Sequence, residues 1–259
     1  MVRAGDHDRA KGPARTSVWL EGKPRPARGG QPSGLDRDRI TRVAVRLLDA
    51  EGPAKFSMRR LAAELNVTAM SVYWYVDTKD DLLELALDSV FAELELPDPE
   101  SGEDWRDQLR ALASGYRALL VRHPWVSSLI GSFLNIGPHS MAFSLCVQKV
   151  MRNTGLPTHG QMGAIAAVYQ FVYGFGTIEG HFVQRCASAG MSQDEYFHRA
   201  MSTIREQPEL AQDFDHATEL MEARGGDTVE EMRERDFGFA LELLVAGIET
   251  MTLRWEGGS

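Results

Sequence analysis

Ser57-Met-Arg-Arg-Leu-Ala-Ala-Glu-Leu-Asn-Val-Thr-Ala-Met-Ser-Val-Tyr-Trp-Tyr-Val-Asp-Thr-Lys-Asp-Asp-Leu-Leu83 is the stretch on which the fold turns. Ser57 can N-cap a helix running to Leu65, in which Leu61, Ala62 and Leu65 share one apolar stripe. Asn66 and Val67 make a turn, and Thr68 caps a second short helix through Ser71 and Tyr73. Asp77-Thr78 interrupts that helix. Thr78-x-x-Asp81 is then a capping box opening a third helix on Leu82, Leu83, Leu85 and Ala86. Two short helices at a steep angle, joined by a tight turn, form a helix-turn-helix whose second helix fits the major groove. Double-stranded DNA is the partner this end implies.

Charge agrees with that placement. The 259 residues carry a formal net charge of −9, which is wrong for a molecule that lies on phosphates with its whole surface. The charge is unevenly spread. Residues 1–34 hold seven Lys/Arg and three Asp/Glu, net +4; residues 35–81 hold eight of each. The remainder holds thirteen Lys/Arg against twenty-six Asp/Glu, net −13, so contact with DNA is confined to one end. The two cysteines, Cys146 and Cys186, lie far apart in apolar surroundings and are expected as buried thiols of a cytoplasmic protein. The chain opens on an Arg/Gly/Pro-rich stretch without an apolar run, and no stretch approaches the ~20 apolar residues of a membrane span.

Outward from the motif, residues 1–34 are expected as a flexible basic arm, from which Arg25 and Arg28 could reach a minor groove. Asp36 to Ala50 reads as a helix, with Ile40, Val43, Ala44, Leu47 and Leu48 on one face and Gly52-Pro53 as its stop. The DNA-binding unit is taken as 35–81 and the body as 82–259, with the loop at Leu96–Gly102 marking the physical break. The body is helix after helix. Trp105, Leu109, Leu112, Tyr116, Leu119 and Leu120 form one amphipathic stripe, and His139 to Met151 makes another helix. Gln161–Ala187 is apolar around its circumference and should be buried on several sides. Ser192-x-x-Glu195 and Thr228-x-x-Glu231 cap two later helices, separated by an acidic, loose segment at 208–227. No strand-like alternation occurs, so the expected fold is all-α.

The stretch Val72-Tyr-Trp-Tyr-Val-Asp-Thr-Lys-Asp-Asp-Leu-Leu83, behind Ser57-Met-Arg-Arg-Leu-Ala-Ala-Glu-Leu65, resembles the tetracycline-repressor (TetR) family of one-component regulators. The likeness covers about 50 residues and extends more weakly into the body. It implies a homodimer that reads a palindromic operator and releases it when a small molecule fills the body. Carried over by position, Ser57 and Arg59 begin the first helix of the motif. Ala69, Met70, Ser71, Tyr73 and Tyr75 occupy the recognition helix, and Lys79 is a phosphate clamp. Trp74 is expected to pack in the core, and Arg60 to be solvated or to pair within the domain.

The same resemblance places Gln161–Ala187 and Val229–Arg254 in a dimer interface, and Leu112, Tyr116, Ile130, Phe133 and Glu179 around an inner pocket. Ile130 stands where the tetracycline-sensing branch has its magnesium-holding histidine. A lone Glu179 is a poor divalent-ion site, so no metal or cofactor is expected and a mainly apolar or aromatic effector is. An alternative keeps the DNA reader but gives control to a protein partner, the pocket being vestigial. Catalysis finds no support: HExxH, GxSxG and glycine-rich phosphate loops are absent, and the seven histidines are scattered.

Overall fold

The computed structural model describes residues 16–21, 35–207 and 223–256, all helix, turn and loop with no strand among them. Arg25, Arg28 and most of the expected acidic segment lie outside the described residues. A first small unit packs α2 (Arg37–Glu51), α3 (Met58–Glu64) and α4 (Ala69–Tyr73) around Ile40, Ala44, Leu48, Leu61 and Val72, which have almost no solvent exposure. Ser57 and Thr68 cap their helices as expected, accepting from the amides of Arg60 and Ser71, and Asp36, read as a helical residue, is the cap of α2 and accepts from the Arg39 amide. The turn between α3 and α4 needs a left-handed residue, and Asn66 supplies it at φ 56°.

α5 (Lys79–Phe91) begins on the capping box of Thr78 and Asp81 and belongs to both halves of the molecule. It is buried on nearly every side, packed by α2 of the small unit and by α8 (Pro138–Arg152) of the body. Two of its acids are buried as well. Glu84 accepts from Ser17 Oγ (2.6 Å) and from the Val18 amide (2.8 Å), holding α1 (Val18–Glu21) against it. Asp88 accepts from the Ser140 amide (2.9 Å) at the start of α8. Residues 16–21 therefore depart from the flexible arm expected for 1–34: Val18 is buried and its helical turn is anchored by a carboxylate.

In the body, α6 (Trp105–Arg122) lies along α9 (Thr158–Ser188). Gly176 and Gly180 make the approach possible. A Cβ at 180 would stand 2.8 Å from the Leu120 carbonyl oxygen, and one at 176 would stand 3.1 Å from Leu120 Cβ. α7 (Val126–Leu129) follows α6, α10 (Gln193–Arg205) starts on the Ser192–Glu195 capping box, and α11 (Val229–Glu256) starts with the Val229 amide on Asp194. α11 runs antiparallel to α6 and is joined to it by three arginine–glutamate pairs, Arg106–Glu249, Arg110–Glu242 and Arg117–Glu234.

One expectation for α9 needs correction. Its buried residues, Val168, Val172, Gly176, Glu179 and Gly180, form a single face, while Met162 and Ile178 are 67% and 72% exposed. An apolar circumference here means one face in the core and another uncovered in the single chain. The loop after α5 is tied to the body: Gln108 and Asn153 side chains donate to the carbonyls of Asp98 and Pro99.

Candidate nucleic-acid interface and effector core

α4 is only five residues long, so its buried face is the single residue Val72, with Val76 beyond it. Everything else on it faces outward or sideways. Met70 is 69% exposed, Trp74 58% and Tyr73 38%, while Ala69 and Ser71 are half-buried. Trp74 thus belongs to the outer surface and not to the core as its aromatic character suggested. The reason is geometric: Val72 and Val76, one turn apart, already fill the inward face. Tyr75 is the opposite case. It lies past the end of α4, and its hydroxyl donates to the Leu35 carbonyl (2.6 Å), which ties it to the entry of α2.

The cations divide in the same way. Arg60 pairs with Glu51 (2.9 Å) and Glu64 (3.1 Å), as expected of an intradomain residue; its hydrogen bond to Glu51 is the main cause of its raised pKa. Lys79 Nζ donates to the Phe56 carbonyl (2.9 Å) and sits over the Phe56 ring. One of its three N–H groups is therefore committed to the α2–α3 loop, which points the ammonium along the same edge of the unit. Ser57 and Arg59 are exposed at the start of α3.

Inside the body, four rings from four helices meet. Tyr116 of α6 lies 6.3 Å from Phe91 at the end of α5, 5.4 Å from Phe143 of α8 and 6.0 Å from Tyr169 of α9, centroid to centroid. Phe143 also stands edge-on to Tyr169 at 5.6 Å. Both phenols are desolvated, which pushes their pKa values up and keeps them neutral. The Tyr169 hydroxyl is buried with no hydrogen-bond partner among the described residues. Leu112 and Tyr116 are buried, and Ile130 and Phe133 are half-buried and packed against the same core.

Glu179 is engaged within the body. Both of its oxygens accept from Arg117, at 2.7 and 3.1 Å, and the guanidinium reaches Glu234 (2.6 Å) with its remaining arm. It also lies over the Phe237 ring at 4.5 Å. Burial works against the Arg117 charge, but the hydrogen bonds and charges of Glu179 and then Glu234 outweigh it and raise its pKa. Glu179 is an internal brace between α6, α9 and α11, and among the described residues no three His, Cys, Asp or Glu converge as metal ligands.

A three-helix unit that exposes a short capped helix, rigidly mounted on a helical body with an aromatic interior, defines a regulator of the helix-turn-helix class. The family-level match is direct. Residues 40–86 match the model of bacterial regulatory proteins of the tetR family, and residues 96–252 match that of the tetracyclin repressor-like C-terminal domain. The chain belongs to the TetR family of transcriptional regulators, a family of regulators and not of enzymes. It is 35% identical to an HTH-type transcriptional regulator of Saccharopolyspora erythraea over 83% of this chain and 84% of that one. It is 32% identical to the HTH-type transcriptional repressor DrrR1 of Streptomyces coeruleorubidus, over 93% and 87%. Among solved structures it resembles ActR of Streptomyces coelicolor in complex with actinorhodin, with TM-score 0.65, 26% identity, and coverage of 84% and 96%.

Proposed function

We propose that the chain is a cytoplasmic repressor that binds a palindromic operator as a homodimer and lets go when a mainly apolar or aromatic molecule enters the body. The observation that carries the reading is the surface of α4. Three side chains with large apolar areas, Met70, Tyr73 and Trp74, stand on a short helix with little reason to be exposed unless something covers them. Ser57, Arg59, Ala69, Ser71 and Lys79 complete the proposed contact edge. Met70 and Ala69 suit thymine methyls, and the hydroxyls, Arg59 and Lys79 suit phosphates.

Dimer formation is supported by a second apolar surface. Ile178 of α9 and Phe239, Leu243, Met251 and Leu253 of α11 are each more than half exposed, a pattern suited to a four-helix seam with a second copy. For the effector, the Phe91–Tyr116–Phe143–Tyr169 cluster offers flat apolar faces and the lone Tyr169 hydroxyl offers one polar contact, with Leu112, Ile130 and Phe133 beside it. ActR was solved with actinorhodin, which makes that compound a first probe. The test has two arms. Selection from a random DNA pool should enrich an inverted repeat, and an aromatic panel should raise the melting temperature and release that DNA. A panel that shifts nothing, with DNA binding intact, would transfer control to a protein partner.

A further inference from the structure

Besides α5, the body touches the DNA-binding unit through a finger, His123-Pro124-Trp125, at the end of α6. His123 Nδ1 lies 2.7 Å from Asp49 Oδ1 on α2, and Trp125 Nε1 donates to the same oxygen at 2.6 Å. On its other side, His123 Nε2 faces the two Glu93 oxygens at 3.2 and 3.3 Å, just past the end of α5. The histidine side chain is 5% exposed. A neutral imidazole has one N–H and one lone pair, so it can satisfy only one of these carboxylates and turns its lone pair on the other. The cation donates to both.

We propose that His123 is the positioning residue that sets the reader's orientation on the body, gripping Asp49 and Glu93 while doubly protonated and loosening when one proton leaves. The inference rests on the ligand-gated reading above and adds how its gate is held. The finger also rests on α9. Gly180 of α9 is so close that a Cβ there would be 3.5 Å from Pro124 Cγ, and the Tyr173 hydroxyl of α9 donates to the Ser127 carbonyl (2.8 Å). α9 carries Tyr169 of the aromatic cluster, so spreading that cluster pushes the helix on which the finger rests.

The charged groups facing His123 are Asp49 from α2, Glu93 from the segment after α5 and, across Glu93, Arg122 of its own helix at 2.7 Å. Burial alone would lower the imidazole pKa; Asp49 first and Glu93 second more than offset it, and the net direction is up. A raised folded pKa means the grip is complete below the ordinary value of 6.5 and is lost as pH climbs through the folded value. An ordered reader loses less freedom on docking than a swinging one, so DNA affinity should fall with rising pH. Residues 35–81 contain no histidine, which leaves no other imidazole in the reader to produce the effect.

The experiment uses the full chain and the DNA fragment that wild type enriches from a random pool, at constant ionic strength between pH 6 and 9. Wild type and a His198→Gln control should lose affinity roughly tenfold, the size of one charge-assisted hydrogen bond. His123→Gln should stay at the weak level throughout, and Glu93→Gln, a change at a partly exposed position, should move the midpoint to lower pH. Nitroxide labels on Lys55→Cys and Gln148→Cys, diluted with unlabelled protein, should report a reader–body distance that broadens over the same range. Identical pH profiles for wild type and His123→Gln, or label distances indifferent to pH and to the substitution, would overturn the proposal. A pool that enriches nothing would sink the DNA-reading function itself, and the label distances would then judge the grip alone.

Discussion

Replacing Arg117 by methionine tests whether the brace at the centre of the body is what its geometry says. The guanidinium and the Glu179 carboxylate are each only 10% exposed, and they share two hydrogen bonds of 2.7 and 3.1 Å. Methionine keeps most of the packing against Phe237 and Phe175 but takes both guanidinium hydrogen bonds from the buried Glu179 carboxylate, on which the charge of Arg233 still acts. Breaking a buried pair from one side costs about 3–5 kcal/mol. Glu234 is 71% exposed, so its share is small, about 0–1 kcal/mol. Glu179→Met alone should cost less than Arg117→Met, because Arg117 keeps Glu234. The double substitution should cost much less than the sum, since two apolar side chains leave no orphaned charge. Urea unfolding at one protein concentration, so that any dimer contributes equally, measures all four corners of the cycle. A coupling below about 1 kcal/mol would refute the brace, as would a cost for Arg117→Met no larger than that of a surface substitution.

Three further outcomes follow from the same geometry. Trp74→Ala should weaken DNA binding at least tenfold while leaving the melting temperature nearly unchanged, whereas Tyr75→Phe should cost about 1 kcal/mol of stability through the lost bond to Leu35 and leave base preference alone; gel shifts and thermal melts on both variants separate the two roles. Gly137→Ala should lower the melting temperature by several degrees, because a Cβ there would run into the Asp88 carboxyl group and the cap on α8 must shift; an unchanged melt speaks against it. Phe239→Glu with Leu243→Glu should give a monomer in sedimentation with its helix content intact, and a persistent dimer would move the interface elsewhere.

Much of this was written locally. Ser57, Thr68, Thr78 and Ser192 cap the helices they precede, because a cap is a contact over three residues and the sequence shows it whole. What escaped depends on distance along the chain. Nothing near Tyr75 announces Leu35, forty residues back, and nothing near Glu179 announces Arg117, sixty-two residues back. A histidine before Pro124 looks like an ordinary helix stop until Asp49 arrives from seventy-four residues away. Trp74 was misjudged for another reason. On a five-residue helix, apolar periodicity cannot distinguish a face turned to the core from one left for a partner. The Val18–Glu21 turn is shorter still, with only Val18, Trp19 and Leu20 as its apolar residues, too few for any period to register.

That short turn matters because of what it completes. Asp81, Glu84 and Asp88 follow one another at spacings of three and four, so they share one face of α5, a pattern that ordinarily marks a solvent face. Here all three are buried, and each accepts from the amides at the start of a helix: Asp81 at α5 itself, Glu84 at α1 and Asp88 at α8. α5 is thereby tied to the reader's arm at one point and to the effector-binding body at another. Sliding it breaks bonds to buried carboxylates, which favours two discrete positions over a continuum. Removing residues 1–34 should expose this. Glu84 would lose both donors together with the cover that α1 gives its carboxylate, at a cost of about 1 kcal/mol. Amides of α5 should then exchange with solvent several-fold faster, and Glu84→Leu in the shortened chain should restore much of the protection. Equal exchange in the full and shortened chains would mean that α1 merely rests on α5 and holds nothing.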